Sequence, residues 1–139
     1  MNASFVVDCS VAMTWLFEEE ATKLTAELLD RLKAEDAVVP DLWFIEIANV
    51  VALAERKGRI TLTQSTEFVR HLLLLGIEVD AEAHTRAFDQ LLPLCRAHRL
   101  TSYDATYLDL AIRRQLPLAT LDKSLREAAV TMGLSLLGI

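Results

Sequence analysis

Short apolar runs rich in β-branched residues, separated by stretches with helical patterning, constrain this chain more than any other feature. Residues 4–8, Ala37-Val38-Val39-Pro40, Ile77-Glu78-Val79, Pro117-Leu118-Ala119-Thr120 and Leu134-Ser135-Leu136 each read as a brief strand. Between them lie helical segments at Ser10–Phe17, 21–34, Asp41–Lys57, Thr61 or Thr63 to Leu75, 81–97, Thr101 or Ser102 to Gln115, and Lys123–Met132. Leu24, Leu28, Leu29 and Leu32 form an apolar stripe on the second of these. Gly58 and Gly76 close the third and fourth, and Pro93 is expected to kink or split the fifth. Strands alternating with helices predict a short, mostly parallel sheet covered on both faces, a three-layer α/β/α sandwich. Two successive helices between the second and third strands predict a helical insertion beside the sheet.

The chain has 139 residues, the size of one domain over 1–139, and its 53% hydrophobic content supports a substantial core. No apolar run approaches the roughly 20 residues that span a bilayer. No basic stretch leads into a cleavable apolar segment either, so the expectation is a cytoplasmic protein without a membrane association. Cys9 and Cys95 lie among apolar neighbours and read as free buried thiols. The formal net charge of −6 argues against sequence-independent coating of DNA, which needs a basic face.

Four carboxylates stand where charge is costly. Asp8 ends Phe5-Val6-Val7, Glu46 interrupts Leu42-Trp43-Phe44-Ile45, Asp104 opens Ala105-Thr106-Tyr107-Leu108, and Asp122 ends Leu118-Ala119-Thr120-Leu121. A charge at a core boundary needs a partner, and no Lys or Arg adjoins the first three. Oxygen-only clusters suit hard divalent cations. Ligands bind outside the carboxyl ends of strands in open α/β sheets, which is where Asp8 and Asp122 fall. Helix capping explains Asp8, Asp104 and Asp122 equally well when each is taken singly. Glu46 lies beyond any cap, and the alternative there is a buried acid bonded to a polar neighbour such as Asn49 on the same face. Asp41 reads as an N-cap. Glu18–Glu20 read as the acidic start of the second helix, and Asp109 points away from the cluster.

These residues also carry a likeness. Val7-Asp8-Cys9-Ser10-Val11, Glu46-Ile47-Ala48-Asn49, Thr101-Ser102-Tyr103-Asp104-Ala105-Thr106-Tyr107 and Thr120-Leu121-Asp122 occur in an order and at intervals that resemble PIN-domain ribonucleases, specifically VapC-type toxins of toxin–antitoxin pairs. The resemblance spans nearly the whole chain and departs visibly only at Cys9, where a small residue is usual. It implies Mg²⁺- or Mn²⁺-dependent endonucleolytic cleavage of structured RNA such as tRNA or rRNA. Asp8 and Asp104 are then the principal ligands and Glu46 and Asp122 support a second ion or its waters. Ser10, Asn49 and Thr120 orient these groups or contact phosphate. It further implies a homodimer and a cognate VapB-type antitoxin, for which Trp15, Leu16 and Trp43 are candidate groove residues. Arg96, His98, Arg99, Arg113, Arg114, Lys123 and Arg126 are candidates for a basic rim.

Two other enzyme classes fail at the residue level. An Asp-x-Asp phosphatase needs an acid where Ser10 stands, and a phospho-receiver needs paired acids at the first strand. A PIN-like fold used only as a binding scaffold is the remaining alternative. Its signature is loss of one or more acids, and all four are kept.

Overall fold

A computed structural model describes residues 2–138. In chain order, β1 (Ala3–Val7) leads into α1 (Cys9–Met13), α2 (Lys23–Arg31) and β2 (Asp36–Pro40). α3 (Leu42–Arg56) and α4 (Leu62–Leu72) follow in succession, then β3 (Ile77–Asp80), α5 (Ala83–Arg86), a π-helical turn (Ala87–Leu91), and α6 (Leu92–His98). The chain ends with α7 (Ser102–Arg114), β4 (Leu118–Ala119), α8 (Lys123–Thr131) and β5 (Leu136–Leu137). All strand pairs are parallel, in the order β3-β2-β1-β4-β5. Helices flank this sheet, giving the expected α/β architecture.

Strand order explains the apolar runs. β1 is the central strand, and Phe5, Val6 and Val7 are fully buried with Val38 and Val39 of β2 and Leu118 and Ala119 of β4. A strand covered on both faces needs apolar residues at every position rather than at alternate ones. The chain builds outward from β1 through β2 to β3, then returns to the other side of β1 for β4. The order therefore reverses between β1 and β4, and a crevice opens there beyond the strand ends.

Several local expectations need correction. Glu18–Glu20 do not start α2; they form a separate 3₁₀ turn, and Thr22 caps α2 through a reciprocal bond with Thr25. Arg59 holds that turn by binding Glu19 and Glu20 while its guanidinium lies 3.6 Å over the Phe17 ring. Asp41 makes no capping hydrogen bond: at φ −61 and ψ −26 it is already helical, because α3 leaves β2 without a turn. The break in the fifth helical stretch is the π turn at Ala87–Leu91. Pro93 lies in the first turn of α6, where its missing N–H is harmless. Trp43 is wholly buried beneath α3, so it is a core residue and faces no groove. Among the described residues, no helix is long and apolar enough to cross a membrane.

Candidate functional site

Asp8 follows β1 directly and caps α1, with Val11 N–H donating to Oδ1 at 3.2 Å. It is only 4% exposed, and no cation pairs with it among the described residues. Two hydroxyls hold it in place of a cation. Ser10 Oγ donates to Oδ1 at 2.6 Å, and Thr120 Oγ1, beyond β4, donates to Oδ2 at 2.5 Å. Both hydroxyls are themselves fed by backbone: Leu121 N–H donates to Ser10 Oγ at 2.9 Å and Asp122 N–H to Thr120 Oγ1 at 3.0 Å. Each hydroxyl therefore accepts from the β4–α8 turn and spends its one proton on Asp8. This fixes both carboxylate oxygens as acceptors, the pattern of an ionised acid. Arg126 braces the same turn by donating to the Thr120 carbonyl at 2.6 Å.

Burial works against that ionised form. It pushes the Asp8 carboxyl up from 3.8 to about 6, a rise that the Asp104 charge supports and the Ser10, Thr120 and Val11 hydrogen bonds oppose. Glu46, in the second turn of α3, is half-buried, and its carboxyl is also raised: chiefly by burial, with help from Asp8 and Asp104, and against the Tyr107 hydrogen bond. Asp104, in the first turn of α7, is raised by burial and then by the Asp122 charge. Asp122 caps α8, accepting from Leu125 N–H at 2.9 Å. Asp8, Glu46 and Asp104 thus act on one another around the crevice at the β1–β4 reversal, and the Asp122 charge acts on Asp104. Among the described residues, no three acids, histidines or cysteines are drawn close enough to hold a metal ion as they stand.

The chemistry of the donor set fits a hard divalent cation. Carboxylates with raised proton affinity and no ammonium or guanidinium partner are what a cation would relieve. The one soft donor nearby is Cys9. Its thiol is pushed up to about 12 by burial and then by the Glu46 and Asp8 charges, so it stays protonated at neutral pH.

Spacing alone did not disclose the partner of Glu46. Tyr107 Oη on α7 donates to Glu46 Oε1 across 61 positions of sequence, and Tyr107 is 1% exposed. Burial and the neighbouring negative charges keep the phenol protonated and hence a donor. Asn49, expected as that partner, is exposed instead. The only sequence cue was a tyrosine three residues after Asp104, on the same helical side.

The expected basic rim also shrinks. Arg113 binds Asp80, Glu82 and Asp109, Arg114 binds Glu78, and Arg126 is committed to backbone carbonyls. Asp109 is buried and held by Arg86 at 2.6 Å, which confirms that it stands apart from the crevice. Arg96, Arg99 and Lys123 remain exposed, and His98 is half-buried.

A family profile described as PIN domain matches residues 5–130. The fold is similar to the crystal structure of PAE2754 from Pyrobaculum aerophilum, with a TM-score of 0.69 at 21% identity, covering 92% of this chain and 87% of that one. At that identity the likeness concerns the fold. No curated protein sequence matches the chain.

Proposed function

The chain belongs to the PIN-domain family, whose members are generally metal-dependent nucleases, and from that premise we propose that it is a Mg²⁺- or Mn²⁺-dependent endoribonuclease, the toxin of a VapBC-type pair. The observation that carries this reading is Asp8. It is a buried carboxylate at the sheet reversal, fixed as an acceptor by two hydroxyls, with no cation, and within the field of Glu46 and Asp104.

On this reading Asp8 and Asp104 are the principal holders of the ion, with Glu46 and Asp122 in support. When bound, the ion supplies a nucleophile at neutral pH and stabilises charge on the scissile phosphate. The protein's own part is orientation. Ser10 and Thr120 keep the Asp8 oxygens from turning, and Tyr107 engages one oxygen of Glu46, leaving the other for the ion or its water. The N-terminus of α7 beside Asp104 favours a phosphate oxygen there. Asn49, exposed one turn beyond Glu46, is the side chain assigned to the RNA backbone.

The cognate antitoxin is assigned to a groove of about 540 Å³ between α1, α2 and α4, lined by Trp15, Leu16, Phe68 and Leu72. A homodimer and a cytoplasmic setting complete the proposal.

The test is incubation of purified protein with structured RNA, with Mg²⁺ or Mn²⁺ and with chelator, alongside Asp8→Ala and Glu46→Gln. Metal-dependent cleavage abolished by Asp8→Ala is the expected result. Cleavage that survives both substitutions overturns the site. A chain that binds RNA but cleaves none, under any metal, is the scaffold alternative.

A further inference from the structure

We propose that the outer face of α6, continued into the first turn of α7, is the track that guides single-stranded RNA to the carboxylate crevice; this rests on the nuclease reading and adds to it the surface that holds the substrate. Phe88 sits in the π turn at 82% exposure, higher than any other large apolar residue described. Single π turns are often retained at functional sites because they re-aim a side chain at a cost in helix regularity. Leu92 and Arg96 follow at intervals of four, which puts them on one side of α6, and Arg99 is its C-cap; all three are exposed. The stripe spans ~16 Å from Phe88 to Arg99 at helical rise. Arg99 ends α6 in the left-handed conformation, at φ 54, and Thr101 caps α7 immediately afterwards. Tyr103 stands next at 61% exposure, one residue before Asp104.

The order is therefore aromatic, arginine, arginine, aromatic, metal-site carboxylate. Single-stranded nucleic acid is bound by this combination, with guanidinium groups on phosphates and rings stacked on unpaired bases. The setting makes these arginines stand out. The other arginines beside this face are spent: Arg86 and Arg113 on Asp109 and Arg113 also on Asp80, and Arg114 on Glu78. Arg96 and Arg99 have no carboxylate partner among the described residues. Asp89 is the exposed acid beside the stripe, next to Phe88 rather than between the arginines. An acidic chain with a ring of acids at its reaction centre repels RNA unless local cations draw it in. A protein partner fits this face less well, because the apolar surface stops at Leu92 and gives way to charge.

The test uses the full-length chain in chelator with a short fluorescein-labelled single-stranded RNA, read by anisotropy at two salt concentrations. Arg96→Ala with Arg99→Ala is expected to weaken binding and lower the salt slope by about 1.4. Phe88→Ala and Tyr103→Ala are each expected to weaken it roughly tenfold with the slope unchanged. Arg70→Ala on α4 is the control for loss of an exposed cation and is expected to keep wild-type affinity. All four substituted residues are exposed, so melting temperatures are expected to be unaffected. Wild-type affinity in all track variants, in a chain that cleaves RNA, overturns the track and leaves the nuclease reading. Loss of binding in those variants, in a chain that cleaves nothing, supports the track and removes the nuclease reading. Conversion of a dimer to a monomer by Phe88→Ala or Tyr103→Ala, seen by sedimentation, assigns the face to self-association and overturns the proposal.

Discussion

Asp8 couples the chemistry of the crevice to the stability of the chain. Its carboxyl is raised from 3.8 to about 6 by burial, so the folded state binds this proton more tightly than the unfolded chain does. With more protons bound in the folded state, stability falls as pH rises from about 4 to about 6, and the whole penalty is present above 6. Its size is at most about 3 kcal/mol. Asp8→Asn removes the charge and keeps an acceptor for one hydroxyl. In chelator it is expected to raise the midpoint of urea unfolding at pH 7.5 and to leave it nearly unchanged at pH 4. An equal effect at both values contradicts the assigned penalty. Tyr107→Phe deletes only the donor to Glu46. It is expected to weaken Mn²⁺ binding roughly tenfold by calorimetry, with no further loss when added to Glu46→Gln. A loss of the same size in the Glu46→Gln background assigns the effect to packing.

Among the elements, α7 connects most of the molecule. Its buried side packs on β1 and β2, its first turn carries Asp104, and its last turns carry Asp109 and Arg113. Arg86, Asp80, Glu82 and Asp109 converge with Arg113 there and fasten α5 and the end of β3 to α7. Removing Asp109 leaves Arg86 without its carboxylate and takes one of three from Arg113. Asp109→Ala is expected to cost about 2 kcal/mol in chemical denaturation. A change under 0.5 kcal/mol contradicts that account.

These elements show what the sequence could and could not disclose. Strands covered on both faces write themselves as unbroken apolar runs, so β1, β2 and β4 were legible, and Asp8 and Asp122 with them. Periodicity placed α3 and α7, and therefore Glu46 and Asp104. The Tyr107–Glu46 bond and the Asp109 network join residues far apart in sequence through side-chain direction, which spacing does not encode. Asp41 holds the N-cap position as read but makes no capping bond, because it alone joins β2 to α3 and already has helical dihedrals.

At the scale of the whole molecule, an acidic chain of net charge −6 gathers its least comfortable charges around one opening. A divalent ion held there, as the proposed function requires, would relieve that repulsion in the folded state only. At one hundred times its dissociation constant it adds about 2.7 kcal/mol, or roughly 5–10 °C in melting temperature. Millimolar Mn²⁺ is expected to produce that rise in the wild type and none in a chain carrying Asp8→Asn with Asp104→Asn. A melt indifferent to Mg²⁺ and Mn²⁺ contradicts the metal assignment.

The hydroxyl of Thr120 reaches Asp8 across 112 positions of sequence. Asp8 therefore leaves the ribosome 112 residues ahead of its second anchor. Until the residues that follow α7 are added, β1 lacks a neighbour on one side, and only the bonds from Ser10 and Val11 hold Asp8. The hydroxyl pair around Asp8 is complete only when β4 and the turn after it have joined the sheet. A nascent chain stopped short of that turn keeps the carboxylate and lacks the geometry around it.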